Sequence, residues 1–289
     1  MSEEIKAAKG ESLFKLSSRR FLRNKGAVAG GIIVMIFILT AIFSPFIAPH
    51  DPLESNLEDA LKGHSRKYLL GTDEQGRDLF SRIIYGGRMS LAIGVVAVSI
   101  AIVLGAVFGV TAGYVGGRMD NWIMRLMDIL MAFPGILLAM AIVSALGPST
   151  FNLMVSIGVY SIPTFARVIR SSVLNIKEME YIEAARAAGQ HEFKIILNHV
   201  LPNCIGPFFV LGTLRVATAI LVGAGLSFLG LGPQPPTPEW GAMLSSGRVY
   251  LRSAWWVATY PGFAIMFVVI GFNLLGDGAR DALDPRLRT

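Results

Sequence analysis

Residues 89–117 read MSLAIGVVAVSIAIVLGAVFGVTAGYVGG, a stretch that contains no charged side chain. A helix needs about 20 apolar residues to cross the hydrocarbon layer of a membrane. Gly105 and Gly109 lie four residues apart within the stretch. Small residues at that spacing let helices pack closely in lipid, where the hydrophobic effect does not drive helices together. We therefore expect residues 89–117 to form a closely packed membrane-spanning helix.

Five further stretches are equally poor in charge, and with the first they predict an all-α membrane protein with six transmembrane helices. The predicted spans are residues 26–49, 89–117, 129–146, 151–166, 204–231 and 253–276. The fourth is short and needs its neighbours up to Arg170. The composition agrees, because 53% of the residues are hydrophobic and only 16% are charged, against about 25% charged in soluble domains. Pro134 and Pro163 predict kinks in the third and fourth spans, since proline removes a helical hydrogen bond.

The distribution of basic residues predicts how the chain lies in the membrane. The net charge is +6, which could suggest nucleic acid as a partner. The lysines and arginines, however, concentrate in the segments on one side of the predicted spans, and cytoplasmic loops are the basic ones. We therefore expect both termini in the cytoplasm and no nucleic acid. The first apolar stretch is longer than a signal-peptide core of about 7–15 residues, which favours an uncleaved anchor.

These observations divide the chain into consecutive segments. The segments are a cytoplasmic N-terminal segment (1–25), a first transmembrane anchor (26–48), an external segment with an interfacial helix (49–88), a five-helix core (89–276) that includes a cytoplasmic loop (171–203), and a cytoplasmic tail (277–289). The single cysteine, Cys204, excludes a disulfide within the chain.

The external segment contains a predicted amphipathic helix and an acidic cluster. Residues 79–88 place apolar side chains on one face, so we expect them to lie at the membrane interface. Asp73, Glu74 and Asp78 could in principle bind Ca²⁺, but their spacing is not that of an EF-hand. No metal is therefore expected there.

A proline-rich segment follows the fifth predicted span. Residues 233–238 read PQPPTP, and prolines at this density exclude a helix. The segment should therefore leave the membrane in an extended conformation. Trp240, Trp255 and Trp256 are predicted to form part of the aromatic belt, because tryptophan is enriched at membrane interfaces.

A few polar residues lie inside the predicted spans. Arg125 and Asp128 are three residues apart near the inner end of the third span, and we expect them to neutralise each other. Arg215 lies within the fifth span, where an arginine normally faces the bundle interior, a partner helix or a water-filled path. Either a structural role or a pathway role that meets a substrate carboxylate fits Arg215. Thr213 and Thr218 would be weaker polar pathway residues.

Residues 181–203 read YIEAARAAGQHEFKIILNHVLPN and predict a helix, a sharp bend and a second helix. Strong helix formers lead up to Gly189, which supplies the left-handed conformation that commonly ends a helix. A second helix is expected over residues 192–201, with Pro202 closing it because proline has no amide to donate.

The surface of the first of these helices is unusually free of bulk. Ala184 and Ala185 leave its backbone accessible to the groove of a partner protein. Glu183 and Arg186 are three residues apart and are expected to pair. Composition alone also fits a solvated helical hairpin.

Glu-Ala-Ala, three residues, Gly189 and a closing Leu-Pro resemble the motif of permease subunits of bacterial ABC importers. The resemblance implies that this helix docks into the ATPase subunit and couples it to transport. The coupling residues it implies are Glu183, Ala184, Ala185, Gly189, Leu201 and Pro202. His199 stands where the general motif has isoleucine, and histidine is familiar at that place in the peptide-permease branch.

Three other segments are similar to the dipeptide, oligopeptide and nickel permeases. They are the Gly-Thr-Asp-x-x-Gly-Arg-Asp string at 71–78, the Leu-Ser-Phe-Leu-Gly-Leu-Gly-Pro region at 226–241 and the end of the core at 276–286. The chain is identified as a member of that family, of the dipeptide-permease C-subunit type. Residues 221–225 lack the acid that many relatives carry there, so any role of that acid does not transfer.

The resemblance implies a type I ABC importer permease fold in the bacterial inner membrane. It also implies a homologous permease subunit, two ABC ATPase subunits and an extracytoplasmic substrate-binding protein as partners. The dipeptide Gly-Lys occurs nowhere in the chain, so the chain has no Gly-Lys-Ser/Thr phosphate loop. We therefore expect no cofactor and no enzyme activity in this chain, with ATP and Mg²⁺ bound by the ATPase partners.

Other functional classes and other substrates are the alternatives to a peptide importer. An ion-coupled secondary transporter usually shows intramembrane carboxylates and a repeated half, and an intramembrane enzyme needs paired catalytic groups; neither pattern is evident. For the importer, di- and oligopeptides are the first expected substrates, and nickel chelates or glutathione-like solutes are the second. The spans offer no set of His and Cys ligands for free Ni²⁺.

Overall fold

The computed structural model describes residues 21–283, which are mostly helical. The helices are α1 (Lys25–Ile42), α2 (Ser44–Ile47), α3 (Leu79–Val115), α4 (Gly117–Met131), α5 (Gly135–Leu146), α6 (Thr150–Lys177), α7 (Glu180–Ala187), α8 (Glu192–Ile195), α9 (Leu201–Phe228), α10 (Trp240–Gly247) and α11 (Trp256–Leu283). Two 3-10 turns, Leu57–Asp59 and Arg248–Tyr250, and a π-helical turn, Ile196–Val200, complete the elements.

The all-α class is confirmed, and the helices account for the predicted spans. Five helices are long and apolar enough to cross a membrane: α1, α3, α6, most of α9 and nearly all of α11. Helices α4 and α5 are separated by a short break, where the chain bends by 89°. Taken together, they are also long and apolar enough to cross a membrane. The count therefore reaches the predicted six when α4 and α5 form one broken span. Pro134 directly precedes α5, which confirms the kink predicted there, whereas α6 continues through Pro163.

Helix α3 begins ten residues before the predicted second span, which corrects two expectations. Residues 79–88 are the first turns of α3, not a separate interfacial helix. Trp240 does not lie in the aromatic belt but is only 1% exposed, and its Nε1 donates to the carbonyl of Ile83 at 2.9 Å. A Cβ at Gly86 or at Gly87 would lie 3.1 Å from the indole ring. These two glycines leave room for the indole, which packs this part of α3 into the protein.

Two helices also extend beyond the predicted inner ends of their spans. Helix α6 runs to Lys177, and α11 runs to Leu283, so the predicted tail from residue 277 starts within a helix. A Cβ at Gly278 would lie 2.1 Å from the Cβ of Ala27. This contact packs the last turns of α11 against α1. The predicted cytoplasmic segment 1–25 lies largely outside the described residues, as do residues 284–289.

The centre of the core is the contact between α3 and α6, which run in the same direction. Gly105, Gly109 and Gly113 face successive turns of α6. A Cβ at these positions would lie 2.5 Å from the Cβ of Phe165, 2.6 Å from the carbonyl oxygen of Ala166 and 3.0 Å from that of Arg170. The predicted close packing of Gly105 and Gly109 is therefore confirmed, because no larger side chain fits between these backbones.

The ion pair predicted within the third span is replaced by two pairs between helices. Asp128 of α4 pairs with Arg167 of α6 at 2.5 Å, not with Arg125. Asp120 pairs with Arg170 of α6, also at 2.5 Å. The bend before α5 brings α4 against α6, so its two acids meet the arginines of that helix. Arg125 is left without an acidic partner among residues 21–283.

The acidic cluster of the external segment is neutralised by arginines. Asp73 accepts from Arg77 Nε at 2.6 Å and lies 3.2 Å from Arg82 Nε, and all three side chains are at most 6% exposed. Glu74 lies 3.3 Å from Arg77 Nη2. Asp78 instead caps α3, because its Oδ2 accepts from the amide of Ser81 at 3.0 Å. The acids therefore anchor the loop and start α3.

The glycine contact predicts that a single methyl group at position 109 destabilises the fold. In Gly109→Ala the added Cβ meets the Ala166 carbonyl and Ile169, and such overpacking costs about 1–3 kcal/mol. Gly225→Ala is the matched control, because nothing lies within 4 Å of a Cβ at that position of α9. The melting temperature of the purified subunit in detergent is expected to fall for Gly109→Ala only. An equal effect of both substitutions would contradict the close contact.

Candidate functional site

The predicted bend is formed by the end of α7. The amide of Gly189 donates to the carbonyl of Arg186 at 3.0 Å, and that of Gln190 donates to the carbonyl of Ala185 at 3.1 Å. This pair of bonds is the Schellman arrangement that ends helices. Gly189 has φ +77°, a left-handed conformation that side chains with a Cβ rarely adopt. The prediction that the helix ends at Gly189 is confirmed.

The second helix of the bend begins as predicted but is not closed by Pro202. Nδ1 of His191 accepts from the amide of Phe193 at 3.2 Å and so caps α8. The chain then passes through the π-helical turn Ile196–Val200 directly into α9. Pro202 lies in the first turn of α9, where a missing amide is tolerated. Because the π turn joins α8 to α9 without a break, the chain remains helical through Pro202.

The bend is held by buried aliphatic side chains on one side. Ile182 of α7, Ile195 of α8 and Val200 of the π turn have no exposed surface and belong to the main hydrophobic core. Isoleucine side chains buried to this degree each contribute about 1.5–3 kcal/mol. The bend is therefore attached to the bundle as a packed unit.

The opposite side of the bend is open, and most of the predicted coupling residues lie on it. Glu183, Ala184, Gly189 and Pro202 are exposed, and Ala185 and Leu201 are half-buried. Sequence reasoning missed two members of this surface, Phe193 and Leu197, which are 61% and 46% exposed. The sequence did indicate them, because both are large apolar residues in a segment that was predicted to lie outside the membrane. We call Glu183, Ala184, Gly189, Phe193 and Leu197 the bend surface.

A polar cluster ties the bend to the C-terminal end of α3. Arg186 Nε donates to Glu192 Oε1 at 2.9 Å, so the predicted pairing of Arg186 with Glu183 is wrong. Tyr114, in the last turn of α3, donates its hydroxyl to Glu192 Oε2. These hydrogen bonds, from Tyr114 first and from Arg186 second, lower the pKa of the Glu192 carboxyl below its ordinary value. Glu192 therefore stays ionised between two donors, one on α3 and one on α7.

The predicted pathway residues lie on α9 but do not form one cluster. Arg215 is half-buried, and its Nη2 lies 3.4 Å from Oγ1 of Thr164 on α6. It forms no ion pair within residues 21–283. Thr218 is exposed and lies three residues from Arg215, on the same side of α9. Thr213 lies two residues from Arg215 and therefore faces another side, where its hydroxyl donates to the carbonyl of Phe209 at 2.8 Å.

Residues 105–289 match the model of a protein family described as the binding-protein-dependent transport system inner membrane component. The chain belongs to this family. Residues 12–64 match a second model, the N-terminal TM domain of oligopeptide transport permease C. The two matches cover the first anchor and nearly all of the core. The family resemblance drawn from the coupling motif is therefore confirmed.

Named relatives are similar over nearly the whole chain. The dipeptide transport system permease protein DppC of Alkalihalophilus pseudofirmus is 48% identical over 94% of this chain and 89% of its own length. The di/tripeptide transport system permease protein DppC of Pseudomonas aeruginosa is 45% identical over 93% of this chain and 90% of its own. The glutathione transport system permease protein GsiD of Pectobacterium atrosepticum is also 45% identical, over 94% and 90%.

A solved structure supports the fold. The MetNI methionine ABC transporter, in an inward-facing conformation, superposes with a TM-score of 0.55 over 70% of this chain and 97% of its own matched chain. The identity of 19% limits this similarity to the fold. With the family, it establishes this chain as a multi-pass inner-membrane permease subunit of an ABC importer with the type I fold. A permease of this class operates with ATPase partners.

Proposed function

We propose that this permease forms half of a translocation pathway for di- and oligopeptides. The observation that carries the proposal is the 48% identity, over 94% of the chain, to a protein named as a dipeptide permease. A relative named as a glutathione permease, at 45% identity, supports glutathione-like solutes as the second candidate. Nickel chelates, suggested by the family resemblance, are the third.

The complete transporter in this proposal contains a homologous permease subunit, two ABC ATPase subunits and an extracytoplasmic substrate-binding protein. ATP and Mg²⁺ are bound by the ATPase subunits, and this chain has no enzyme activity of its own. The absence of a Gly-Lys dipeptide from the sequence supports this division of labour, because a phosphate loop needs it. The partners supply energy and substrate, and the permease supplies the path.

The bend surface is the proposed contact with the ATPase. The small residues Ala184 and Gly189 allow a partner protein to approach the backbone closely. Glu183 gives the surface a negative charge, and Phe193 offers an apolar contact. ATP-driven closure of the ATPases would displace α7 together with the buried Ile182 and Ile195. The bundle would thereby alternate between inward-facing and outward-facing conformations. Leu201 and Pro202 would act at the start of α9, where the bend joins a spanning helix.

Arg215 is the proposed polar contact of the pathway, with Thr218 beside it and Thr213 as a weaker contributor. A half-buried guanidinium without an acidic partner in the described range favours an incoming anion. Every unmodified peptide carries a C-terminal carboxylate, which can accept two parallel hydrogen bonds from an arginine. Few other fixed polar contacts are needed for substrates with varied side chains.

The proposed orientation places both termini in the cytoplasm. It can be checked by labelling single cysteines with a membrane-impermeant thiol reagent in a Cys204→Ala background, since Cys204 is the only cysteine and is buried. Ser65→Cys in the external segment is expected to react in intact cells, whereas Glu192→Cys in α8 reacts only after the membrane is opened. Both positions are exposed, so the two sites differ in sidedness and not in burial. The reverse pattern would contradict the orientation and the proposed ATPase contact.

The coupling role predicts that Gly189→Val uncouples transport. No atom lies within 4 Å of a Cβ at Gly189, so the effect comes from the left-handed conformation, which costs about 1–2 kcal/mol in a residue with a Cβ. Uptake and substrate-stimulated ATP hydrolysis are expected to fall about 5- to 30-fold, with the subunit still present in the membrane. Glu183→Arg, which reverses the charge of the bend surface, should have the same phenotype.

Gly147→Val is the matched control for this experiment. Gly147 also has a positive φ, +89°, and open space around its Cβ direction, but it lies between α5 and α6 at the other end of the bundle. It is expected to retain coupling. Equal loss in both valine variants, or normal uptake in Gly189→Val and Glu183→Arg, would refute the assignment of the bend.

The substrate proposal predicts that peptide-loaded binding protein stimulates ATP hydrolysis by the purified complex. Di- and tripeptides are compared with glutathione and a nickel chelate, each carried by the same binding protein. Arg215→Gln is expected to raise the KM for peptides with a free C-terminus but not for C-terminally amidated ones. Thr213→Ala should change these values less, because Thr213 faces another side of α9. If only glutathione or only the nickel chelate stimulates ATP hydrolysis, the peptide assignment is wrong, but the permease function still stands.

A further inference from the structure

Helix α4 buries only one of its sides. Met127, on the side that faces α6, is 1% exposed. The other side carries large apolar residues spaced three and four positions apart, which form one continuous stripe. The stripe consists of Met119, Trp122, Leu126 and Ile129, which are 49%, 71%, 47% and 54% exposed. A stripe of this size needs an apolar partner.

The same side of α4 has two arginines that pair with no acid within residues 21–283. Arg118 and Arg125 are exposed, lie two helical turns apart and border the stripe. Neither forms an ion pair or a side-chain hydrogen bond with any residue between 21 and 283. The acids of α4 are already used, because Asp120 and Asp128 pair with arginines of α6. As far as residues 21–283 are concerned, these two guanidinium groups therefore give this flank a net positive charge.

An open depression of about 610 Å³ lies along this flank. It is lined only by side chains of α4, among them Arg118, Asn121, Trp122 and Arg125. Its lining combines the guanidinium groups of Arg118 and Arg125 with the amide of Asn121 and the indole of Trp122. The carboxylate of Asp128 also lines it, but it is already paired with Arg167. This set suits a phosphate group on one side and hydrocarbon on the other.

We propose that α4 docks an anionic phospholipid, with the headgroup phosphate at Arg118 and Arg125 and the acyl chains along the stripe. Charge complementarity carries the choice of occupant. A neutral lipid or an apolar protein surface would cover the stripe but leave both arginines unbalanced. Arginine binds phosphate through parallel hydrogen bonds, and tryptophan favours the headgroup level.

The position of α4 agrees with this occupant. Helix α4 begins at Gly117, directly after the inner end of α3, and its Asp120 contacts Arg170 in the inner part of α6. In a spanning bundle the helix ends lie near the headgroups. Basic clusters beside apolar surface at this depth attract anionic lipids. The proposal goes beyond peptide transport and does not depend on which substrate is carried.

The test measures lipid retention by the complete transporter, purified and reconstituted in nanodiscs of phosphatidylglycerol and phosphatidylcholine. Native mass spectrometry counts the lipids that stay bound after mild release. We expect selective retention of phosphatidylglycerol, reduced about fivefold for each arginine removed in Arg118→Gln and Arg125→Gln. Arg66→Gln/Arg252→Gln, with the same charge change at exposed external positions, is the control and should retain the lipid. Equal retention in all variants would overturn the proposal.

A second measurement separates lipid from a protein partner and from free phosphate. A spin label at Trp122→Cys, in the Cys204→Ala background, should be relaxed by oxygen, which partitions into lipid, in the assembled transporter. Protection from oxygen together with cross-linking to another subunit would show a protein interface and overturn the proposal. Soluble glycerophosphoglycerol should not displace phosphatidylglycerol at equal concentration, because it lacks the chains that contact the stripe. Full displacement by this headgroup alone would also contradict a docked lipid.

Discussion

The close contact between α3 and α6 is the constraint on which the remaining structure depends. Three glycines remove the side chains that would hold the two backbones apart, and the contact continues over three successive turns. Because the helices run in the same direction, their C-terminal ends lie side by side. Lys177, at the end of α6, can therefore donate to the carbonyl of Gly113 at 3.0 Å. The bend that follows α6 starts from a fixed position against α3.

The bend is short and partly exposed, but several contacts attach it to the bundle. Its turn is closed by the left-handed Gly189, its inner face is buried through Ile182 and Ile195, and Glu192 joins it to Tyr114 of α3. The π turn then leads without a break into α9, the helix that carries Arg215. In the proposed mechanism a force on the bend surface acts directly on the inner half of a spanning helix, because no flexible linker separates the two.

The features that sequence reasoning predicted correctly are local ones. A run of apolar residues, a glycine that must be left-handed and the break at Pro134 each depend on a few neighbouring residues, so the spans, the bend and the kink could be predicted. The errors concern partners distant in the chain. Asp128 pairs with Arg167 and not with its neighbour, and Trp240 is buried against glycines about 150 positions away in sequence. Spacing within a helix shows which pairs can form, but only the packing of helices decides which do.

The charges of α4 and of the C-terminal half of α6 show why this pairing matters for function. If each acid had paired within α4, Arg167 and Arg170 of α6 would be the arginines left without a partner. Instead Asp120 and Asp128 neutralise α6. Arg118 and Arg125 then carry the positive charge that is not neutralised within residues 21–283. Both are exposed at the surface of the bundle, where an anion can reach them. The bend surface lies beyond the end of α6 and includes the negatively charged Glu183. The proposed ATPase contact and the proposed lipid site therefore lie on separate surfaces of the permease, so that neither proposal excludes the other.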